Sequence, residues 1–130
     1  MSKGTIILVE DEGLIALHLL ELLTNAGYNV TDLITSGEDL LVHLGSVPPP
    51  DVVIMDIGLS GKMDGIETAR QLRKRYNIGV IFLTAYSDQN RMEDAANIEP
   101  YEYLVKPVMQ EDLLAAVEKT ITLNRKRNSR

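Results

Sequence analysis

Short apolar runs alternate along this chain with segments of helical period, and four of the runs stop on a residue able to handle phosphate or metal. Ile6 to Val9 stops on Glu10 and Asp11, Val52 to Met55 on Asp56, Val80 to Leu83 on Thr84, and Tyr103 to Val105 on Lys106. Such alternation marks βαβ units with a parallel sheet, and ligands of open parallel sheets bind just outside the carboxyl ends of the strands. The expected fold class is α/β: a doubly wound, five-stranded parallel sheet of strand order 2-1-3-4-5 with helices on both faces. Three carboxylates, one hydroxyl and one ammonium would converge at one end of that sheet.

The five strands are expected at Thr5 to Val9, Asn29 to Ile34, Asp51 to Asp56, Gly79 to Leu83 and Glu102 to Val105. A first helix from Gly13 to Ala26 keeps Ile15, Leu19, Leu22, Leu23 and Ala26 on one face, and Gly27 closes it. Ser36 caps a shorter helix that ends at Leu44, after which Pro48, Pro49 and Pro50 form an extended connector. Asp64 opens a third helix through about Tyr76, with Ile66, Ala69 and Leu72 inward. A fourth helix, from Ser87 or Asp88 to about Ile98, offers chiefly Met92, Ala95 and Ala96, and should be the least firmly anchored element. The last helix runs from Met109 to about Asn124 with Leu113, Val117 and Ile121 on one stripe.

At 130 residues the chain is long enough for one domain with a real core, and its 45% apolar and 25% charged residues are those of a globular protein. The absence of cysteine excludes a disulfide framework, thiolate catalysis and the usual zinc sites, and fits a reducing compartment. No apolar run approaches the length of a membrane span, and the start, Met1 to Glu12, has too short an apolar stretch for a secretory signal. A cytoplasmic location without membrane association is therefore expected.

The net charge of −6 is unevenly placed: Arg125, Lys126, Arg127 and Arg130 put +4 into the last seven residues and leave −10 in the rest. An acidic body is a poor nucleic-acid surface, so direct nucleic-acid binding by this domain is not expected. The basic end reads as cations complementing a helix C-terminus in preference to a DNA-contacting arm. It also reads as a linker stub, giving a domain over residues 1–124 and a basic tail over 125–130.

With strands one and three as neighbours, Glu10, Asp11 and Asp56 crowd together. Two unit charges ~4 Å apart at an effective dielectric of ~20 repel by about 4 kcal/mol, so three carboxylates need a counter-charge. A divalent cation and Lys106 would provide it. Hard oxygen donors without histidine or thiolate suit Mg2+, which retains waters and takes one or two carboxylates plus phosphate oxygens. Asp56 is then available as a nucleophile that forms an aspartyl phosphate, with Thr84 and Lys106 on the phosphoryl oxygens.

The chain at this point resembles the receiver domain of two-component response regulators over essentially its whole length. The matching pieces are Leu8-Val9-Glu10-Asp11-Glu12, Asp51-Val52-Val53-Ile54-Met55-Asp56, Met63-Asp64-Gly65-Ile66-Glu67, Leu83-Thr84-Ala85 and Tyr103-Leu104-Val105-Lys106-Pro107. The resemblance implies a histidine kinase or histidine phosphotransfer protein as phosphoryl donor to Asp56, and a downstream protein or fused output domain as recipient of the signal. It implies Mg2+ on Asp11 and Asp56 directly, on Glu10 through water and on the backbone carbonyl of Gly58. Thr84 and Tyr103 become a switch coupled to the face of helix 4, strand 5 and helix 5. Gly58, Ala85 and Tyr86 occupy places that modulate dephosphorylation, and Lys106-Pro107 looks like the family's cis peptide. The resulting expectation is a phosphorelay module that catalyses phosphotransfer to itself and its own slow hydrolysis, without being a dedicated enzyme.

Several positions depart from the commonest family pattern. Glu10 replaces a frequent aspartate, the loop Gly58-Leu59-Ser60-Gly61-Lys62-Met63 looks one residue longer and lacks the customary proline, and Asn97 to Glu102 replaces a glycine-alanine turn. The competing readings are a receiver-like interaction module that is not phosphorylated, a phosphatase with Asp56 as nucleophile, and a flavin or nucleotide carrier. Gly58 stands where haloacid-dehalogenase-like phosphatases have a general acid, and Glu10-Asp11-Glu12 would repel a phosphate without a metal. His18 and His43 lie on helices away from the strand ends and read as surface or boundary residues. The cognate kinase, the input signal, the output target and the oligomeric state leave no mark in the sequence.

Overall fold

The computed structural model describes residues 2–59, 61–85 and 101–128, with backbone alone at 127 and 128. Within them, the elements are β1 (Thr5–Val9), α1 (Gly13–Asn25), β2 (Asn29–Ile34), α2 (Gly37–Leu44), β3 (Val52–Asp56), α3 (Gly65–Arg75), β4 (Gly79–Thr84), β5 (Glu102–Val105) and α4 (Gln110–Asn128). The five strands form one sheet in the order β2-β1-β3-β4-β5, all pairs parallel. The expected fold class is the one observed. The expected helix between Ser87 and Ile98 lies outside the described residues, as does Tyr86.

Alternation along the strands separates two cores, because successive side chains point to opposite faces. Ile7, Val9, Val53, Met55, Val80 and Phe82 pack with Leu40 and Leu44 of α2 and Ile66, Ala69 and Leu72 of α3. Ile6, Leu8, Val52, Ile54, Ile81 and Leu83 pack on the other face with Leu19 and Leu23 of α1 and Leu113, Val117 and Ile121 of α4. Each such side chain taken fully out of water contributes about 1.5–3 kcal/mol. β3 and β4 are buried along their full length, as central strands covered on both faces must be.

Local chemistry sets the element ends. Ser36 and Asp64 cap α2 and α3 by accepting the backbone N–H groups of Asp39 and Glu67, and Gly27, at φ +100, makes the left-handed turn that releases α1 into β2. Some details differ from the sequence reading. In α1 the fully buried positions are Ala16, Leu19 and Leu23, whereas Ile15, Leu22 and Ala26 are half-buried. The last helix continues beyond Asn124 to Asn128, where the guanidinium of Arg125 donates to the backbone of Lys3 and to Asp51.

Candidate functional site

The ends of β1, β3 and β5 deliver the charged groups to one place, since β3 lies beside β1 and β4 lies between β3 and β5. Asp56, the last residue of β3, is 7% exposed, and Glu10, the residue after β1, is 3% exposed. Asp11 is exposed beside them. One carboxylate oxygen from each of Glu10, Asp11 and Asp56 lies within 4.8 Å of the others, a spacing that can hold a metal ion. The three predicted acidic residues are thus brought together.

Lys106 reaches this cluster from the residue after β5. Its Nζ donates to Asp56 Oδ2 at 3.0 Å and to Glu10 Oε1 at 3.2 Å. The second oxygen of each carboxylate meets backbone: the N–H of Gly58 donates to Asp56 Oδ1 at 2.9 Å, and that of Glu12 to Glu10 Oε2 at 3.3 Å. Burial, and then the charge of Asp56, push the Glu10 carboxyl up to about 7 against the pull of Lys106. Burial works against the charge of Lys106, but its bond to Asp56 and the charges of both carboxylates outweigh it and raise its pKa. The charge balance of the pocket therefore tilts negative, and a cation is what the geometry can take.

Thr84 ends β4 fully buried, its hydroxyl donating to the carbonyl of Ala85 at 3.0 Å. Tyr103 lies on β5 with half of its surface exposed. The Lys106–Pro107 peptide is cis. His18 is exposed on α1 and lines a groove that Lys106 also lines, whereas His43 pairs with Asp32 at 2.9 Å.

One residue near the site was not singled out from the sequence. Glu38, in the first turn of α2, accepts the backbone N–H of Met63 at 2.7 Å and so touches the loop that follows Asp56. The two positions are 25 residues apart, and no local pattern signals such a contact.

The comparisons with known proteins agree with this arrangement. A family model described as the response regulator receiver domain matches residues 6–118. Transcriptional regulatory protein PdtaR of Mycobacterium tuberculosis is 32% identical over 117 residues, which cover 90% of this chain and 56% of that protein. DNA-binding transcriptional regulator NtrC of Salmonella typhimurium is 32% identical over 123 residues, 94% of this chain and 26% of that protein. The crystal structure of the signal receiver domain of a modulated diguanylate cyclase from Desulfovibrio desulfuricans G20 matches with a TM-score of 0.87 at 31% identity, over 95% of this chain and 98% of that one. The chain spans about half or less of the length of these curated relatives.

Proposed function

The chain belongs to the response regulator receiver family, and from that premise we propose that it takes a phosphoryl group from a phosphohistidine onto Asp56. The observation that carries this reading is the state of the Asp56 carboxylate. It is nearly buried, oriented by Gly58 and Lys106, and one wall of a three-carboxylate cluster.

The donor set fits a hard divalent cation, with three carboxylates in reach of one point and Glu10 raised by burial and then by the charge of Asp56. Glu10, Asp11, Asp56 and the carbonyl of Gly58 would hold Mg2+, which when bound neutralises charge on the phosphoryl oxygens. A carboxylate oxygen of Asp56 attacks phosphorus, the P–N bond to the donor histidine breaks, and the imidazole, protonated on its other nitrogen, leaves neutral. The N–H of Gly58 keeps the nucleophile aimed. Lys106 shifts from the carboxylates to the phosphoryl oxygens, where its charge follows the charge that moves. Thr84 exchanges its bond to Ala85 for one to a phosphoryl oxygen, and Tyr103 turns inward, altering the face around β5 and α4 that a downstream protein or output domain reads.

A histidine kinase or histidine phosphotransfer protein must bring its histidine to this pocket. An apolar groove of about 510 Å3, lined by Leu14, Ile15, His18, Leu19, Pro107 and Val108, opens beside Lys106 and would receive the donor. Among the described residues no helix is long and apolar enough to cross a membrane, in keeping with action in the cytoplasm.

The test is incubation with acetyl phosphate and magnesium, followed by intact mass. A magnesium-dependent phosphate adduct is expected for the wild type and none for Asp56→Asn. Amide spectra should respond to beryllofluoride in the wild type alone. An adduct that persists in Asp56→Asn would overturn the assignment.

A further inference from the structure

The loop between Asp56 and α3 carries Gly58, and what fixes that loop is not confined to β3 and α3. Leu59 anchors its outgoing limb, 5% exposed in the core under α2 and α3. On the returning limb, the carboxylate of Glu38 accepts the N–H of Met63 at 2.7 Å. Gly61 turns between the two at φ +109, and a Cβ built there would lie 2.9 Å from Glu38 Oε2. The left-handed turn requires glycine at this position, and a side chain there would also press on the end of the Glu38 side chain.

The first turn of α2 is itself locked to the start of α3. A Cβ on Gly37 would lie 1.9 Å from Thr68 Oγ1, so the two helices meet there without room for a side chain. Thr68 in turn donates to the carbonyl of Asp64 at 2.8 Å, next to Met63. Glu38 therefore works from a fixed base. A charged acceptor on a backbone N–H makes the stronger class of hydrogen bond, and the bond is partly shielded from water.

The geometry points to Glu38 as a positioning residue for the phosphorylation site: from α2 it holds the return of the β3–α3 loop and thereby sets the Gly58 backbone that orients Asp56 and faces the cation. This role rests on the function proposed above and deepens it, since Glu38 touches neither Asp56 nor the metal-binding carboxylates. Groups hydrogen-bonded directly to metal ligands typically change metal affinity by about 10–100-fold when removed, and Glu38, one step further out through the loop, is expected at the low end of that range.

The test uses the full chain as wild type, Glu38→Ala and Glu38→Gln, with magnesium as the probe. Amide hydrogen exchange at Gly58 and Met63 is measured together with magnesium affinity by calorimetric titration. Glu38→Ala should lose protection at Met63 and at Gly58 and bind magnesium on the order of 10-fold more weakly, with its thermal midpoint close to that of the wild type. Glu38→Gln keeps an acceptor oxygen and should recover most of both. Unchanged Gly58 exchange and unchanged magnesium affinity in Glu38→Ala would overturn the role, as would a Glu38→Gln variant no better than the alanine. If the wild type itself binds no magnesium, the function proposed for the site fails, whereas the exchange at Gly58 still decides whether Glu38 holds the loop.

Discussion

Glu10 is the residue whose surroundings make the sharpest demand. Its carboxyl rises from an ordinary 4.5 to about 7, so in the metal-free protein the proton-bound form is favoured by folding. A carboxyl raised in this way contributes stability that is full below its unfolded value and lost as pH climbs through the folded one. Between pH 4.5 and pH 8 the loss should be on the order of 3 kcal/mol, measured as denaturant stability in the presence of a chelator. Glu10→Gln should flatten that part of the profile. Because a bound cation must displace the Glu10 proton, the apparent magnesium affinity of the wild type should rise from pH 5.5 to pH 7.5. The identity of each charged group was legible from the strand ends, since a polar residue stopping an apolar run is a local signal. The perturbed state of Glu10 was not, because it depends first on burial by the folded chain and then on Asp56 and Lys106, which lie 46 and 96 positions away.

Among the elements, the junction of β3 and α3 tolerates least. A Cβ on Gly65 would lie 2.5 Å from the carbonyl oxygen of Asp56 and 2.8 Å from Ile57 Cα, and both are backbone atoms that cannot swing aside. Gly65→Ala should therefore cost about 1–3 kcal/mol in chemical denaturation and slow phosphorylation by acetyl phosphate, because relief must come from moving the segment that carries Asp56. Strand limits followed closely from the sequence: β2 and β5 begin and end where the sequence reading placed them. The end of the last helix did not, since Arg125 and Lys126 break the apolar stripe by which the eye follows a helix. Arg125 is fixed through Lys3, near the opposite end of the chain, and through Asp51, 74 positions away, ties that periodicity cannot show. In α1, leucines stand nearly all around the helix, and a single apolar face could not be chosen cleanly among them. The sheet covers Ala16, Leu19 and Leu23 and leaves Leu14 and Leu17 outward.

At the scale of the molecule, those outward leucines separate two ways of delivering phosphate. Acetyl phosphate is small and needs only the pocket, whereas a protein donor also needs a surface beside it. Leu14 is 86% exposed at the rim of the groove next to Lys106, so Leu14→Lys should leave the rate with acetyl phosphate within about 2-fold. The same substitution should slow transfer from a cognate phosphohistidine protein by 10-fold or more if it removes about 1.4 kcal/mol of docking energy; a rate unchanged from the wild type with the protein donor would rule the groove out as the approach. The strand order was legible in outline because βαβ alternation leaves few topologies open. That order also has a temporal side. The ammonium that balances the acidic pair follows the outermost strand, β5, which is made after every other strand of the sheet. A nascent polypeptide leaving the ribosome therefore lacks the ammonium partner of its acidic cleft until the final strand has docked, and the pocket cannot be complete before the sheet is.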